Sequence, residues 1–179
     1  MPETVVRRAQ FGGERDDAEL CRTLMREYAA YLNATVGGEH ICVETLEQEL
    51  AALPGDYAEP AGAVLLAFVG SAPAGCVALR PAHVENLAGN RERACEMKRL
   101  WVRPAHQGLR LGRTLAEAMV DLARERGYSA MVLDTMPATM PAAYALYRAM
   151  GFEPIECYTQ NPALRNTDGL EIAYLRREL

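Results

Sequence analysis

The segment Cys95-Glu96-Met97-Lys98-Arg99-Leu100-Trp101-Val102-Arg103-Pro104-Ala105-His106-Gln107-Gly108-Leu109-Arg110-Leu111-Gly112-Arg113-Thr114-Leu115 sets out a strand, a glycine-bearing loop and the opening of a helix. That order of elements presents backbone N–H groups to phosphate. From Arg91 to Arg113 the chain holds seven Lys/Arg and two Glu, an excess of five positive charges in a protein whose net charge is -5. Arg110 and Arg113 fall in the first turn of the expected helix, where the macrodipole favours acidic side chains instead. An anion is the simplest partner for such a loop.

Outward from this segment, apolar periodicity assigns the remaining elements. Leu111, Leu115, Met119 and Leu122 recur at helical spacing up to Gly127, and Ala130 to Asp134 reads as a short strand buried on both faces. Pro141 suits the first turn of a helix over Ala142 to Met150 that stops at Gly151. Phe152 to Tyr158 and Leu170 to Arg176 are strand candidates, separated by a break at Asn161-Pro162. Upstream, Ala63 to Val69 and Gly75 to Leu79 form a hairpin about Gly70-Ser71-Ala72-Pro73-Ala74, and Arg80 to Arg93 reads as a loop. Thr4 to Ala9 is a first strand. Helices are expected over Asp16 to Asn33, ended by Gly37-Gly38, and over Glu44 to Leu53, closed by Pro54-Gly55. Antiparallel strands therefore precede a strand-helix-strand crossover.

At 179 residues, half of them hydrophobic, the chain matches one domain spanning 1–179. No apolar run suits a signal peptide or a bilayer span, so a soluble, cytoplasmic protein with no membrane partner is expected. Five dispersed cysteines without a CxxC or Cys/His cluster indicate free thiols and no metal site. A sequence pI near 5.3 argues against a nucleic-acid partner. From Glu27 through Leu79 there is no Lys or Arg but seven acidic residues. That stretch suggests attraction of a cationic acceptor, or simply a solvated face.

Three phosphate-cradling patterns compete for the loop. A P-loop needs four residues between its glycines followed by Lys-Ser/Thr, whereas Gly108 and Gly112 are three apart and followed by Arg113-Thr114. No GxGxxG follows a first strand, which removes the dinucleotide fingerprint. The run Leu100-x-Val102-x-Pro104-x-x-Gln107-Gly108-x-x-x-Gly112-x-x-Leu115, followed by Ala145-Leu146-Tyr147-x-x-x-Gly151-Phe152, resembles the GNAT superfamily of acetyl-CoA-dependent N-acyltransferases. Arg110 stands where that family's middle loop glycine usually sits, and Met140 where many members carry Asn.

The resemblance implies a mixed α/β (α+β) fold. Its mostly antiparallel central sheet of about six or seven strands is flanked by about four helices and splayed between the fourth and fifth strands to admit acetyl-CoA. It implies that Gln107, Gly108, Leu109, Arg110, Leu111, Gly112 and Arg113 hold the coenzyme A pyrophosphate. The backbone of Leu100, Trp101 and Val102 would pair with the pantetheine arm, one amide polarising the thioester carbonyl. Glu96 occupies the place of a strand-borne carboxylate base; burial between Cys95 and Met97 would raise its pKa and suit it to accept the amine proton. Tyr147 occupies the place of the tyrosine proposed to protonate the leaving thiolate and to contact the coenzyme.

Tyr28, Tyr31 and Glu96 are candidates for the acceptor side, since the first two helices wall that site in the family, although the stripe Tyr28, Tyr31 and Leu32 also reads as core. Trp101 reads as packing. His40, His83 and His106 are isolated and carry no assigned role. No cysteine has an adjacent His to activate it, which favours direct transfer in a ternary complex over a cysteine-acyl intermediate. The expected acceptor is a small-molecule primary amine, and a homodimer is compatible with this reading. The competing reading is a non-catalytic acyl-CoA-binding sensor or interaction module. A nucleotide hydrolase is disfavoured because the loop lacks Lys.

Overall fold

A computed structural model describes residues 3–36, 43–82, 93–158 and 171–179. The elements run β1 (Thr4–Arg8), α1 (Ala18–Val36), α2 (Val43–Ala51), β2 (Ala63–Val69), β3 (Ala72–Ala82), β4 (Ala94–Val102), α3 (Leu111–Glu125), β5 (Ala130–Thr135), α4 (Pro141–Ala149), β6 (Glu153–Ile155) and β7 (Ala173–Glu178). The strands form one sheet in the order β1-β2-β3-β4-β5-β7-β6. Every neighbouring pair is antiparallel except β4–β5, the two strands joined by the α3 crossover. The expected sheet and its splay are therefore present. No helix among the described residues is long and apolar enough to cross a membrane.

Each face of the sheet carries its own core. On one face Cys95, Met97, Met131 and Leu133 pack against the buried stripe Leu111, Leu115, Met119 and Leu122 of α3, with Tyr147 and Phe152 alongside. On the other, Leu24 and Met25 of α1 and Leu46 and Leu50 of α2 cover Leu66, Cys76, Ala78 and Trp101. The parity of β4 changes between these groups. Cys95 and Met97 face α3, but so do Leu100 and Val102, while Trp101 faces α1 and α2.

An extra residue makes the switch. Cys76 pairs with Trp101 and Ala78 with Lys98, so Arg99 and Leu100 together oppose Val77 in a β-bulge. Arg99 takes the left-handed conformation there, at φ 58°. Gly75 permits the close approach of the next rung, since a Cβ at that position would lie 2.3 Å from the Trp101 carbonyl oxygen.

Three boundary expectations are corrected. Arg80, Pro81 and Ala82 belong to β3 rather than to a loop, with Arg80 directly opposite Glu96. Beyond Leu79, β3 no longer pairs with β2, so Pro81 lies where an N–H on that side has no strand to bond. β6 is only Glu153–Ile155, because Pro154 cannot donate to a ladder and the chain then turns inward to bring Tyr158 to Glu96. β7 runs Ala173–Glu178, later than expected. The breaks at Gly37-Gly38 and Asn161-Pro162, along with His40, His83 and Cys42, lie outside the described residues. Cys21, Cys76 and Cys95 are buried free thiols.

Candidate active site

Pairing between β4 and β5 consists of Ala94 with Ala130, Cys95 with Met131 and Glu96 with Val132, and there it stops. Among the described residues, β4 pairs from Met97 to Val102 with β3 alone, which leaves its other edge open towards the gap. The bulge at Arg99 bends β4 along this stretch, as an extra residue in one strand does. An open edge of main-chain donors and acceptors beside a gap is what an extended amide-bearing chain pairs with.

Glu96 lies at the apex of the fork and is 4% exposed. It accepts hydrogen bonds from Arg80 Nε at 2.7 Å, from the Tyr158 hydroxyl at 2.9 Å and from Lys98 Nζ at 3.4 Å. Burial alone would push this carboxyl up. The charges of Lys98 and Arg80, with the hydrogen bonds from Arg80 and Tyr158, instead hold it below the ordinary glutamate value. The expected upward shift is thus reversed: Glu96 is buried, but it is buried ionised. Beside Lys98, its cross-strand neighbour Arg80, hidden by the loop assignment, contributes both a charge and a hydrogen bond to this. Lys98 also reaches Asp134 of β5 at 3.7 Å, so two carboxylates and one ammonium occupy the fork. Neither Asp134 nor Tyr158 was identifiable from the sequence, because both reach Glu96 and Lys98 only through strand pairing and a turn remote in the chain.

Tyr147 enters from α4 with 7% exposure, its ring edge against Phe152 at 5.9 Å between centroids. Among the described residues its hydroxyl has no hydrogen-bond partner. Burial, reinforced by nearby Tyr28 and Asp134, pushes this phenol far up, so it stays protonated. Tyr28 reaches the same neighbourhood from α1, its phenol pushed up to about 12 by burial. Tyr31, 39% exposed, lies over Trp101 at 5.1 Å between ring centroids, outside the fork. Tyr147 and Tyr28 interact with each other and with Asp134, which Lys98 joins to Glu96, while Tyr31 lies further out against Trp101, whose side chain packs beneath α1 as expected.

The loop at the end of β4 leads through a 3-10 turn at Pro104–His106 into α3. Gln107 Nε2 donates to the Val102 carbonyl at 3.3 Å, tying the loop to the strand. Arg110 precedes α3 at φ 59° and ψ 12°, left-handed, in the conformation a glycine at that position would adopt freely. A non-glycine residue there costs about 1–2 kcal/mol. No side chain caps the helix, its first turn has no acidic residue, and its first hydrogen bond runs from the Thr114 amide to the Arg110 carbonyl. The amides of Leu111, Gly112 and Arg113 consequently point out of the helix without intrahelical partners. A Cβ on Gly112 would meet nothing closer than 3.9 Å, so the protein's own packing does not require glycine. These residues fit a pyrophosphate.

The two charge anomalies of the sequence largely neutralise each other. Arg99 pairs with Glu49, Arg103 with Glu27, Arg80 with Asp56 and Arg126 with Glu59. Arg99 and Arg103 of the basic run, with Arg80 and Arg126 from outside it, thus meet the acidic stretch across the fold. Glu27, Glu49, Asp56 and Glu59 of the acidic stretch are thus paired, and of the basic run Arg110 and Arg113 stay exposed at the loop. Arg113 pairs only with exposed Glu117 on its own helix.

The sequence pattern of the acetyltransferase (GNAT) family matches residues 38–152. An N-acetyltransferase of Schizosaccharomyces pombe is 35% identical over 143 residues, 79% of this chain and 79% of that protein. Among solved structures, a GNAT-family acetyltransferase of Staphylococcus aureus superposes with TM-score 0.71 at 14% identity, covering 99% of each chain. An acetyltransferase of Salmonella typhimurium with its cofactor acetyl-CoA superposes with TM-score 0.62 at 20% identity, covering 98% of this chain and 94% of that one. With a family pattern across most of the chain, the forked sheet and the uncapped helix behind it, the chain belongs to the GNAT family of acetyltransferases and takes acetyl-CoA as its acyl donor.

Proposed function

We propose that this protein moves the acetyl group of acetyl-CoA directly to the primary amine of a small molecule while both are bound. The observation that supports the reading is an ionised carboxylate on Glu96 and a protonated phenol on Tyr147, each tied to the fork of β4 and β5, Glu96 through Lys98 to Asp134 and Tyr147 through its interaction with Asp134. Amide formation from a thioester needs a proton taken from the amine and one given to the departing sulfur. Glu96 takes the amine proton, directly or through water. Because its pKa is low it is a weak base, so it acts on an amine that has already lost its first ammonium proton. Tyr147 supplies the proton at the sulfur.

The chain's other groups set the geometry. The amides of Leu111, Gly112 and Arg113 hold pyrophosphate, with Gln107, Gly108, Leu109 and Arg110 shaping the approach. The open edge of Leu100, Trp101 and Val102 aligns the pantetheine arm, and one of its N–H groups faces the carbonyl oxygen as charge builds there. Tyr28 walls the acceptor side, with Tyr31 at its rim. Direct transfer is supported by the buried thiols: burial pushes Cys21 and Cys95 up to about 12 and Cys76 higher still, which keeps them from acting as thiolates.

Incubation with acetyl-CoA and a panel of amines, amino acids and peptide N-termini, following free thiol, tests the reading. Thiol release dependent on a small amine is expected. Tight acetyl-CoA binding without such release across the panel would replace the enzyme with an acyl-CoA-binding module.

A further inference from the structure

Arg99 is an arginine in a place that suits glycine. It lies in the middle of the strand that borders the acyl site, at φ 58°, as the extra residue of the β4 bulge. Its guanidinium does not reach solvent to compensate. It turns onto α2 and makes two hydrogen bonds to Glu49, Nε to Oε1 at 3.1 Å and Nη2 to Oε2 at 2.8 Å. The side chains are 12% and 21% exposed. Glu49 is itself fixed by the Tyr57 hydroxyl at 2.6 Å, and the Arg99 carbonyl accepts the Cys76 thiol at 3.5 Å. α2 is in turn held to α1, where Arg22 Nε donates to the Leu50 carbonyl at 3.0 Å.

We propose that the Arg99–Glu49 pair is a positioning device for acyl transfer, holding the bulge in its left-handed state so that the Leu100 and Trp101 main chain faces the fork in one orientation. This rests on the reading that the open β4 edge aligns the acyl donor. The two-pronged pair fixes the guanidinium plane, and with it the torsions of the residue that carries it, more firmly than a single bond would. Its effect on rate follows from geometry, because a small misplacement of reacting groups lowers turnover steeply. Neither residue touches the fork, and both act through the backbone they fix. The pair also makes the orientation of that backbone depend on where α2 lies, and α2 covers the face of the sheet opposite α3.

Three variants separate positioning from mere stability: Arg99→Gly, which can adopt the bulge conformation without strain but loses the pair; Arg99→Ala, which loses both; and Glu49→Gln, nearly the same shape without charge. Turnover is read well below each variant's melting temperature, beside coenzyme A affinity. The expected order of kcat is wild type, then Arg99→Gly at roughly a tenth, then Arg99→Ala at roughly a hundredth, with Glu49→Gln near Arg99→Gly. The double variant Arg99→Gly/Glu49→Gln is expected to be no slower than Arg99→Gly alone, since the two act as a unit. A kcat equal to the wild type in folded Arg99→Gly and Glu49→Gln would overturn the proposal, as would a fall that only tracks the folded fraction. Amide chemical shifts of Leu100 and Trp101 with coenzyme A added test the device without turnover. Displaced or broadened signals in Glu49→Gln support it, and wild-type signals reject it. Absence of amine-dependent thiol release in the wild type would instead count against the proposed reaction, while the amide shifts still decide the role of the pair.

Discussion

Lys98 on β4 and Asp134 on β5 face each other at 3.7 Å, two residues beyond Glu96 and Val132, where the two strands stop pairing. The ammonium bridges the opening and at the same time reaches Glu96 at 3.4 Å. Its charge is one of the influences holding Glu96 ionised against burial. Lys98→Met removes that charge at similar length, so the Glu96 carboxyl rises from its lowered value. In the wild type, Glu96 is deprotonated throughout the neutral range, and the acid limb of kcat/KM follows the ionisation of the amine. Two acceptors of different pKa should therefore give two different limbs. In Lys98→Met a second ionisation from Glu96 moves up into the profile. A wild-type limb at one pH for both amines would contradict this assignment.

The fold was legible where apolar periodicity is local. α3, β2 and β4 sit where the sequence placed them, because Leu111, Leu115 and Met119 recur at helical spacing and Ala63–Val69 is an unbroken apolar run. The loop between β4 and α3 was legible through its spacing of glycines. The charge state of Glu96 was not, because it depends on partners brought from β3 and from the turn after β6. The bulge at Arg99 was equally hidden: a charged residue in a half-buried strand gives no sign of an extra position until the partner strand is known. The pairing of the acidic stretch was hidden for the same reason, since charges far apart in sequence, such as Glu27 and Arg103, meet in space.

Gly112→Ala should separate stability from binding. The site has room for a methyl group, with Val102 Cγ2 at 3.9 Å and Leu146 Cδ2 at 4.0 Å. Alanine in a helix is favoured over glycine by up to about 1 kcal/mol. The melting temperature should therefore rise or hold, while coenzyme A affinity falls at least roughly tenfold, because the methyl group projects among the amides that face the pyrophosphate. Calorimetric binding and thermal melting on the same sample check it. Unchanged affinity would remove Gly112 from the pyrophosphate site.

Asp17 should set part of the acid limit of stability. It is 6% exposed, takes two hydrogen bonds from Arg7 at 2.7 and 2.8 Å, and accepts the Gln10 amide at 2.8 Å. The Arg7 bonds hold it below the ordinary aspartate value. Its contribution is thus complete above the unfolded-state pKa and is lost as pH falls through the lower folded value. Asp17→Asn should lower stability at pH 7 by about 2 kcal/mol, since a partly buried guanidinium loses its partner. The same variant should show a flatter fall in melting temperature on acidification. Parallel acid curves for wild type and variant would show that Asp17 is not the group that titrates.

Tyr147→Phe isolates the hydroxyl from the ring. The ring is buried against Phe152 and belongs to the α3-side core, and phenylalanine preserves that packing. Among the described residues the hydroxyl bonds to nothing, so its loss strands no partner and should leave the stability within about 0.5 kcal/mol of wild type. The phenol is pushed far up by burial, then by Tyr28 and Asp134, and remains a proton donor across the whole working range. A donor so high in pKa gives up its proton only as negative charge develops on sulfur, which confines its effect to the transition state. An interaction of that kind lowers kcat and kcat/KM together on removal. The expected loss is roughly a hundredfold in kcat, within the range for general acids, with acetyl-CoA affinity changed about twofold at most. An acyl donor with a more acidic thiol needs less protonation, so its rate should fall less in the variant. An equal loss for both donors would place Tyr147 in binding rather than in proton transfer.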